Sequence, residues 1–200
     1  MTENTCTITI DGKTVELPVV EGTTGDRAID ISRLRELTGV TTLDPSLANT
    51  ASCRSAISWI DGENGRLLYR GIPIETLAEN KVSFVETAML LITGRLPTPA
   101  ERNDFSELLA RNSALHRNMD LHFNAFPPNS HPMAIMSAMI NAMSTHDRPK
   151  ITDEDSAIRN SAKLMSRVRT IAAASYKASV GEPAIYPRMD LKYVENFMHM

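Results

Sequence analysis

The sequence is poor in cysteine and in aromatic residues. Its two cysteines, Cys6 and Cys53, lie far apart in 200 residues and form no C-x-x-C pattern. This usage argues against a disulfide scaffold and a zinc site, and we expect two reduced thiols. The aromatic fraction is 5% and there are 11 methionines, a composition that predicts an aliphatic, helical core.

The chain also lacks a surplus of basic residues and a long apolar run. Its formal net charge is -3, which gives no reason to expect a nucleic acid or an anionic membrane as partner. No segment has the roughly 20 apolar residues of a membrane-spanning helix. The first residues have neither a basic region nor an apolar region of a signal peptide. We therefore expect a cytoplasmic protein that binds neither membrane nor nucleic acid.

Residues 1–50 predict an N-terminal β-hairpin region followed by a short helix. Alternation from Thr5 to Val20, with Asp11-Gly12 in the middle, is typical of a hairpin with a tight turn. We expect Asp26 to cap a short helix that ends at Gly39. A second hairpin is predicted around the turn-rich stretch 61–65.

Residues 51–200 predict a helical domain, so the fold class is mainly α with two small β-hairpins in front. Ser83 and Glu86 have capping-box spacing, and Thr98-Pro99 opens a helix that we expect to extend towards His116 and His122. Thr152 with Asp155 is predicted to cap the longest helix. A last helix is predicted within Asp190 to Met200, with an apolar face formed by Leu191, Val194, Phe197 and Met198.

That last helix has no stop signal, and we expect the chain to end inside an element, as a fragment of a longer protein would.

The stretch FPPNSHPMAIMSAMINAMS, Phe126 to Ser144, predicts a central helix that begins near His131. Its methionines and isoleucines point in nearly every direction, so we expect burial on most sides, by more chain or by a second subunit. The polar positions Ser137, Asn141 and Ser144 would line a channel or form hydrogen bonds between helices.

No residue pattern in the chain predicts an active site. His116 and His122 are six residues apart, which puts them on different helix faces, and no metal site is expected. His131 is either a neutral donor in a cleft or, more simply, a structural residue at the helix start. Lys163 and Arg167 share a helix face that would hold phosphates or be solvated.

Four segments resemble the N-terminal part of citrate synthase, of the bacterial type with an extra N-terminal β-region. They are LDPS (Leu43 to Ser46), NTASCRSAISWIDGENGRLLYRGIPIETLAE (Asn49 to Glu79), FPPNSHPMAIMSAM (Phe126 to Met139) and GEPAIYPRMDLKYVENFM (Gly181 to Met198).

The resemblance implies a helical large domain, here incomplete, and an acyltransferase that condenses acetyl-CoA with oxaloacetate and water to citrate and CoA in the tricarboxylic acid cycle. The family's catalytic histidines and aspartate belong to motifs expected beyond residue 200, so no catalytic or substrate-binding residue is assigned here. The 200-residue chain alone is then expected to be inactive. The alternatives are a catalytically inactive truncated relative that acts as a dimerisation module, and a 2-methylcitrate synthase that uses propionyl-CoA.

The resemblance also implies a homodimer or hexamer through the helix 131–144, with Met133, Met136, Ile140 and Met143 at the subunit interface. No cofactor is expected, but some relatives are inhibited by NADH. Their regulatory site resembles Arg111, Lys163 and Arg167 in its basic residues, whereas Asn112 stands where those enzymes have histidine.

Overall fold

The computed structural model describes residues 4–146 and 148–200, which divide into two compact units between Ser55 and Ala56. The boundary inferred from the sequence, between residues 50 and 51, lies slightly earlier. Each unit has its own small antiparallel sheet, and the second unit also carries the long helices. Within the described residues, no helix is both long and apolar enough to cross a bilayer.

The N-terminal unit is built on an antiparallel sheet with strand order β1-β2-β3, formed by Thr5–Ile10, Lys13–Glu21 and Arg27–Ile29. The predicted first hairpin is confirmed, and its register pairs Ile10 with Lys13. Asp11 and Gly12 form the turn with φ values of 51° and 78°, the positive angles that a two-residue hairpin turn requires.

The helix predicted from Asp26 is wrong in its first half. Arg27–Ile29 forms β3 and pairs with β2, and the helix α1 covers only Leu34–Thr38. Hydrogen bonding to an existing strand is more favourable than a short isolated helix, whose first turn is costly to nucleate. The predicted end is correct, because Gly39 adopts φ 78° at the C-cap.

The second unit begins with β4 (Ser58–Asp61), β5 (Arg66–Tyr69) and β6 (Ile72–Pro73). The first two strands confirm the second predicted hairpin, with Trp59 opposite Leu68. The short strand β6 was not predicted.

The helices that follow are α2 (Ile74–Glu79), α3 (Phe84–Thr93), α4 (Pro99–Arg111), α5 (Arg117–Phe123), α6 (Pro132–His146), α7 (Glu154–Ser179) and α8 (Tyr193–His199). Two predicted helix starts are confirmed. Ser83 and Glu86 form a capping box, and so do Thr98 and Glu101. Arg95, together with the Thr98 backbone, lowers the pKa of Glu101 to about 2.

Three helix predictions need correction. The helix that begins at Pro99 ends at Arg111, because the Ser113 hydroxyl donates to the carbonyls of Leu109 and Ala110 in its last turns. His116 therefore starts a separate helix, α5, and its Nδ1 accepts the backbone N–H of Asn118 at 3.2 Å.

The cap of α7 is Asp153 with Ser156 rather than Thr152 with Asp155, since the Asp153 carboxylate accepts the Ser156 N–H at 2.7 Å. The predicted apolar face of α8 largely points outward. Val194 is 55% and Met198 is 78% exposed, whereas Asn196 and Met200 are buried. Asn196 fixes this orientation by binding both backbone groups of Arg188.

The core of the second unit lies along both sides of α7. On one side Ile171 and Ala174 of α7 contact apolar side chains of α5 and α6; these are Met119, Phe123, Ile135, Met139 and Met143. On the other side Ala162 contacts α3 and α4 through Met89, Phe105 and Leu109. The central helix α6 therefore buries one face in this chain, and its predicted burial on most sides, by additional chain or by a second subunit, stays a prediction.

This one-sided burial predicts different costs for two methionines of α6. Met139 is 1% exposed and Met133 is 61% exposed. Met139→Ala should lower the free energy of unfolding of the chain by about 2–5 kcal/mol, because it removes buried contacts and leaves a cavity. Met133→Ala, the matched control, should change the free energy of unfolding of the monomeric chain by less than about 0.5 kcal/mol, because this side chain is largely exposed there. Urea denaturation measures both, and equal losses would contradict the observed orientation of α6.

Candidate cleft between α6 and α7

The main candidate site is a cleft of about 440 Å³ where the second half of α6 faces the first half of α7. Its volume is within the usual range of small-molecule pockets, about 300–1,000 Å³. The lining residues are Ile140, Asn141, Met143, Ser144, Pro149, Ile151, Asn160, Ser161, Lys163, Leu164 and Arg167.

Most of the cleft wall is apolar. Ile140 and Met143 come from α6 and Leu164 comes from α7, while Ile151 lies in the segment between the two helices. Ile151 is 67% and Leu164 is 51% exposed, so two large apolar side chains of the wall face solvent. Their exposure gives the cleft apolar surface that a ligand would remove from water.

Two cationic side chains also line the cleft. Lys163 and Arg167 are one helical turn apart on α7, both line the cleft, and both are half-buried. The sequence predicted that they share a face, and the structure confirms that they do. An ammonium beside a guanidinium suits phosphate oxygens, since the two groups offer a point charge and a planar fork of donors.

Arg111, the third basic residue of the proposed regulatory set, is not among the residues that line the cleft. It lies at the end of α4, is exposed, and forms an ion pair with Glu107 one turn earlier. The side-chain amide of its neighbour Asn112 donates to the carbonyl of Leu108 at 2.7 Å. The structure thus brings together two residues of the set of three.

The polar stripe of α6 is bonded within its own helix. Asn141 donates to the Ser137 carbonyl at 2.9 Å, and Ser144 donates to the Asn141 carbonyl at 2.7 Å. Asn141 and Ser144 line the cleft, while Ser137 is exposed outside it. Neither of the two expected roles, a channel or a network between helices, is found among these bonds.

The interface residues inferred from the resemblance do not share one environment. Met133 is exposed, Met136 and Ile140 are partly buried, and Met143 is 9% exposed inside the core. The burial of Met143 is therefore explained by contacts within the chain. The interface itself stays a prediction.

The histidines are structural residues or lie at the surface. His131 is exposed, and its Nδ1 accepts the Met133 N–H at 3.2 Å, which confirms a role at the start of α6. His116 stacks on His146 with ring centroids 4.6 Å apart, a pair that the sequence did not predict. Over residues 4–146 and 148–200, no cluster of His, Cys, Asp or Glu could hold a metal ion.

A buried hydrogen-bond network around Arg169 was not predicted from the sequence. This residue is 5% exposed, and its guanidinium donates to the Ser113 hydroxyl at 2.8 Å and the Tyr193 carbonyl at 3.0 Å. It also lies 4.5 Å from the centre of the Tyr193 ring. Burial lowers the pKa of Arg169 and raises the pKa of Tyr193. The network joins α7 to α8 and to the end of α4, so its role is structural.

The architecture defines a class: a mainly helical protein in which one long helix packs against several shorter ones, and whose chain also forms two small antiparallel sheets. Residues 46–200 match the family model described as citrate synthase, C-terminal domain. The chain belongs to the citrate synthase family.

Similar proteins agree with this family over the whole chain. The chain is 38% identical to citrate synthase 1 of Mycobacterium tuberculosis over 201 aligned residues, which cover 100% of this chain and 46% of that protein. The chain therefore spans about half the length of the curated relatives it matches.

Solved citrate synthases have the same fold. The enzyme of Thermotoga maritima superposes with a TM-score of 0.66 at 34% identity, over 80% of this chain and 41% of that one. The enzyme of Pyrobaculum aerophilum superposes with a TM-score of 0.68 at 28% identity, over 99% of this chain and 46% of that one. The Thermoplasma acidophilum enzyme, solved with carboxymethyl coenzyme A and oxaloacetate, superposes with a TM-score of 0.74 over 80% of this chain and 42% of that one. Its sequence identity is 21%, so this similarity shows the fold alone.

Proposed function

We propose that this chain is part of a citrate synthase, an acyltransferase that condenses acetyl-CoA with oxaloacetate and water to give citrate and CoA. The observation that carries the proposal is the 38% identity to a curated citrate synthase along the whole length of the chain. In this proposal the 200 residues form part of the helical scaffold, and the catalytic residues belong to a part of the complete protein that they do not include. In support, the histidines described above start helices or stand at the surface, and the main cleft contains none of them.

The test compares the 200-residue chain with the complete protein, whose intact mass is measured first. A mass near twice 22.1 kDa is expected. The complete protein should release CoA thiol from acetyl-CoA only when oxaloacetate is present, and the 200-residue chain should release none. A thiol reagent follows the reaction, and a sample without oxaloacetate corrects for the exposed thiol of Cys53. No oxaloacetate-dependent release by the complete protein would reject the proposed activity.

The same assay separates the alternatives. A 2-methylcitrate synthase would have a higher kcat/KM with propionyl-CoA than with acetyl-CoA, because specificity is set by the ratio of these values. A catalytically inactive relative that acts as a dimerisation module would release thiol from neither substrate and would still associate.

Association through α6 is the second part of the proposal. The exposed face of this helix carries Met133 beside the small residues Ala134, Ser137 and Ala138. Small side chains allow two helices to approach closely, and an exposed methionine gains by burial. A second copy of the chain covering this face would also provide the burial on several sides that the apolar sequence of α6 predicts.

We expect Ala138→Arg to convert the complete protein to a smaller species, because a long charged side chain would stand where the helices approach. Ala100→Arg, at an exposed alanine of α4, is the matched control and should leave the assembly unchanged. Analytical ultracentrifugation at several concentrations measures the mass. If the mass of the assembly is the same with Ala138→Arg as with Ala100→Arg, the result would contradict an interface on α6.

A regulatory dinucleotide site in the α6–α7 cleft is the third part of the proposal. The cleft combines an apolar wall with Lys163 and Arg167, which matches a ligand that has flat rings and phosphates, such as NADH. Arg111 lies outside the lining residues, so the two cations on α7 carry this proposal.

NADH fluorescence should saturate when the complete protein is titrated, and Lys163→Gln or Arg167→Gln should raise the Kd by about tenfold because each removes a charged contact with phosphate. Arg159→Gln is the matched control, since Arg159 lies on the same helix, is exposed and does not line the cleft. The absence of a saturable signal, or an equal effect of the control, would rule out the site.

A further inference from the structure

The N-terminal sheet has an open edge along β1. The strand order β1-β2-β3 places β1 at the side of the sheet, and within residues 4–55 no strand pairs with its outer edge. An open edge presents unpaired N–H and C=O groups that can accept another strand. Natural proteins usually protect such edges with charged side chains, proline or bulges.

The register determines which backbone groups of β1 point outward. A two-residue turn makes its flanking residues, Ile10 and Lys13, a hydrogen-bonded pair, and the pattern then alternates along the hairpin. The even-numbered residues of β1 therefore bond to β2, as the bond from the Val19 N–H to the Asn4 carbonyl confirms. Thr9 and Thr14 should then be a non-hydrogen-bonded pair, in which side chains are closer, and the 3.0 Å contact between their hydroxyls agrees with this.

The outward-facing groups consequently belong to Thr5, Thr7 and Thr9. Within the described part of the chain, no backbone hydrogen bond outside the β1–β2 ladder uses these residues. The carbonyl of Thr7 has only a weak contact of 4.0 Å from the Cys6 thiol, which leaves acceptor capacity. The three threonine side chains are exposed on one face, and Cys6, Ile8 and Ile10 are half-buried on the other.

The edge is suitable for self-pairing because β1 contains no charged residue, no proline and no glycine. In an antiparallel pair about a two-fold axis, the residue on the axis faces its own copy and its neighbours lie close to theirs, so a charge near the axis would be repelled by the same charge of the partner copy. The strand instead offers β-branched residues at most positions, which favour pleated structure. The unit also has a small core, since Leu17 and Leu34 are the apolar side chains that are buried among residues 4–55.

We propose that β1 pairs antiparallel with β1 of a second copy of this chain, about a two-fold axis at Thr7. In this register Thr7 faces the partner copy's Thr7, and Thr5 faces the partner copy's Thr9, so all outward-facing threonine backbones form hydrogen-bonded pairs. Cys6 then lies opposite the partner copy's Ile8 in a non-hydrogen-bonded pair. The two sheets become one, with the threonines on one face and the half-buried side chains on the other.

Disulfide trapping in the complete protein tests this register. Residues opposite each other in non-hydrogen-bonded pairs have Cα atoms about 4.5 Å apart, a separation that a disulfide can span. With Cys53→Ala as background, Ile8→Cys should form a covalent dimer under oxidised glutathione, in which Cys6 of one copy is linked to the introduced thiol of the other. Non-reducing electrophoresis and mass spectrometry of the linked 1–13 peptides detect it.

The matched control is Cys6→Ala with Ile8→Cys, because in this register residue 8 of one copy does not face residue 8 of the other. This control should form little covalent dimer. The Cys53→Ala background, in which Cys6 is the only cysteine of β1, should also form little. Equal linkage of a single-cysteine chain would overturn the register. No linkage with both cysteines present would overturn the pairing itself.

A second pair of variants tests the hydrogen bonds. Thr7→Pro removes an outward-facing N–H but none of the bonds to β2, and proline is tolerated on edge strands. Added to Ile8→Cys, it should slow covalent dimer formation by about tenfold, since both central hydrogen bonds are lost. Thr7→Val keeps the N–H and should leave the rate unchanged. Equal rates for the two variants would contradict backbone pairing at Thr7.

Discussion

The packing of α6 against α7 is the interaction on which the second unit depends. Ile171 and Ala174 of α7 contact Met139 and Met143 of α6, and these side chains exclude water from the middle of the unit. Because α7 also packs against α3 and α4 on its other side, it is the element that holds both core clusters in place. The cleft lies at one end of the α6–α7 pair, where Pro149 and Ile151 from between the two helices contribute to its lining.

Polar groups set the order of the helices around this apolar contact. The hydroxyls of Ser166 and Thr170 on α7 donate to the carbonyls of Leu109 and Ser113 at the end of α4. Arg169 adds a buried cation that is held by the Ser113 hydroxyl and the Tyr193 carbonyl. A buried polar group is costly unless it is bonded, so these contacts allow α4 and α8 to dock on α7 in one way.

The two units offer different surfaces for association. The exposed face of α6 has small side chains that suit close helix packing, whereas the edge of β1 has backbone groups that suit strand pairing. Association through the first surface depends on its small side chains and on burial of Met133, and association through the second depends on hydrogen-bond register. A protein that used both would form assemblies larger than a dimer if each surface joined a different pair of copies.

Local chemistry in the sequence determined the hairpin turn at Asp11-Gly12, the capping boxes at Ser83 and Thr98, and the helix end at Gly39. These features depend on residues close in the chain, so they can be inferred without knowing the fold. The four segments that resemble citrate synthase likewise indicated the family, which the family-model match over residues 46–200 confirms. Only the tertiary structure decided that Arg27–Ile29 is a strand, that Met143 is buried within the chain, and that Arg111 lies outside the cleft. Each of these depends on a partner that is distant in sequence, and the periodicity of a single segment does not specify that partner.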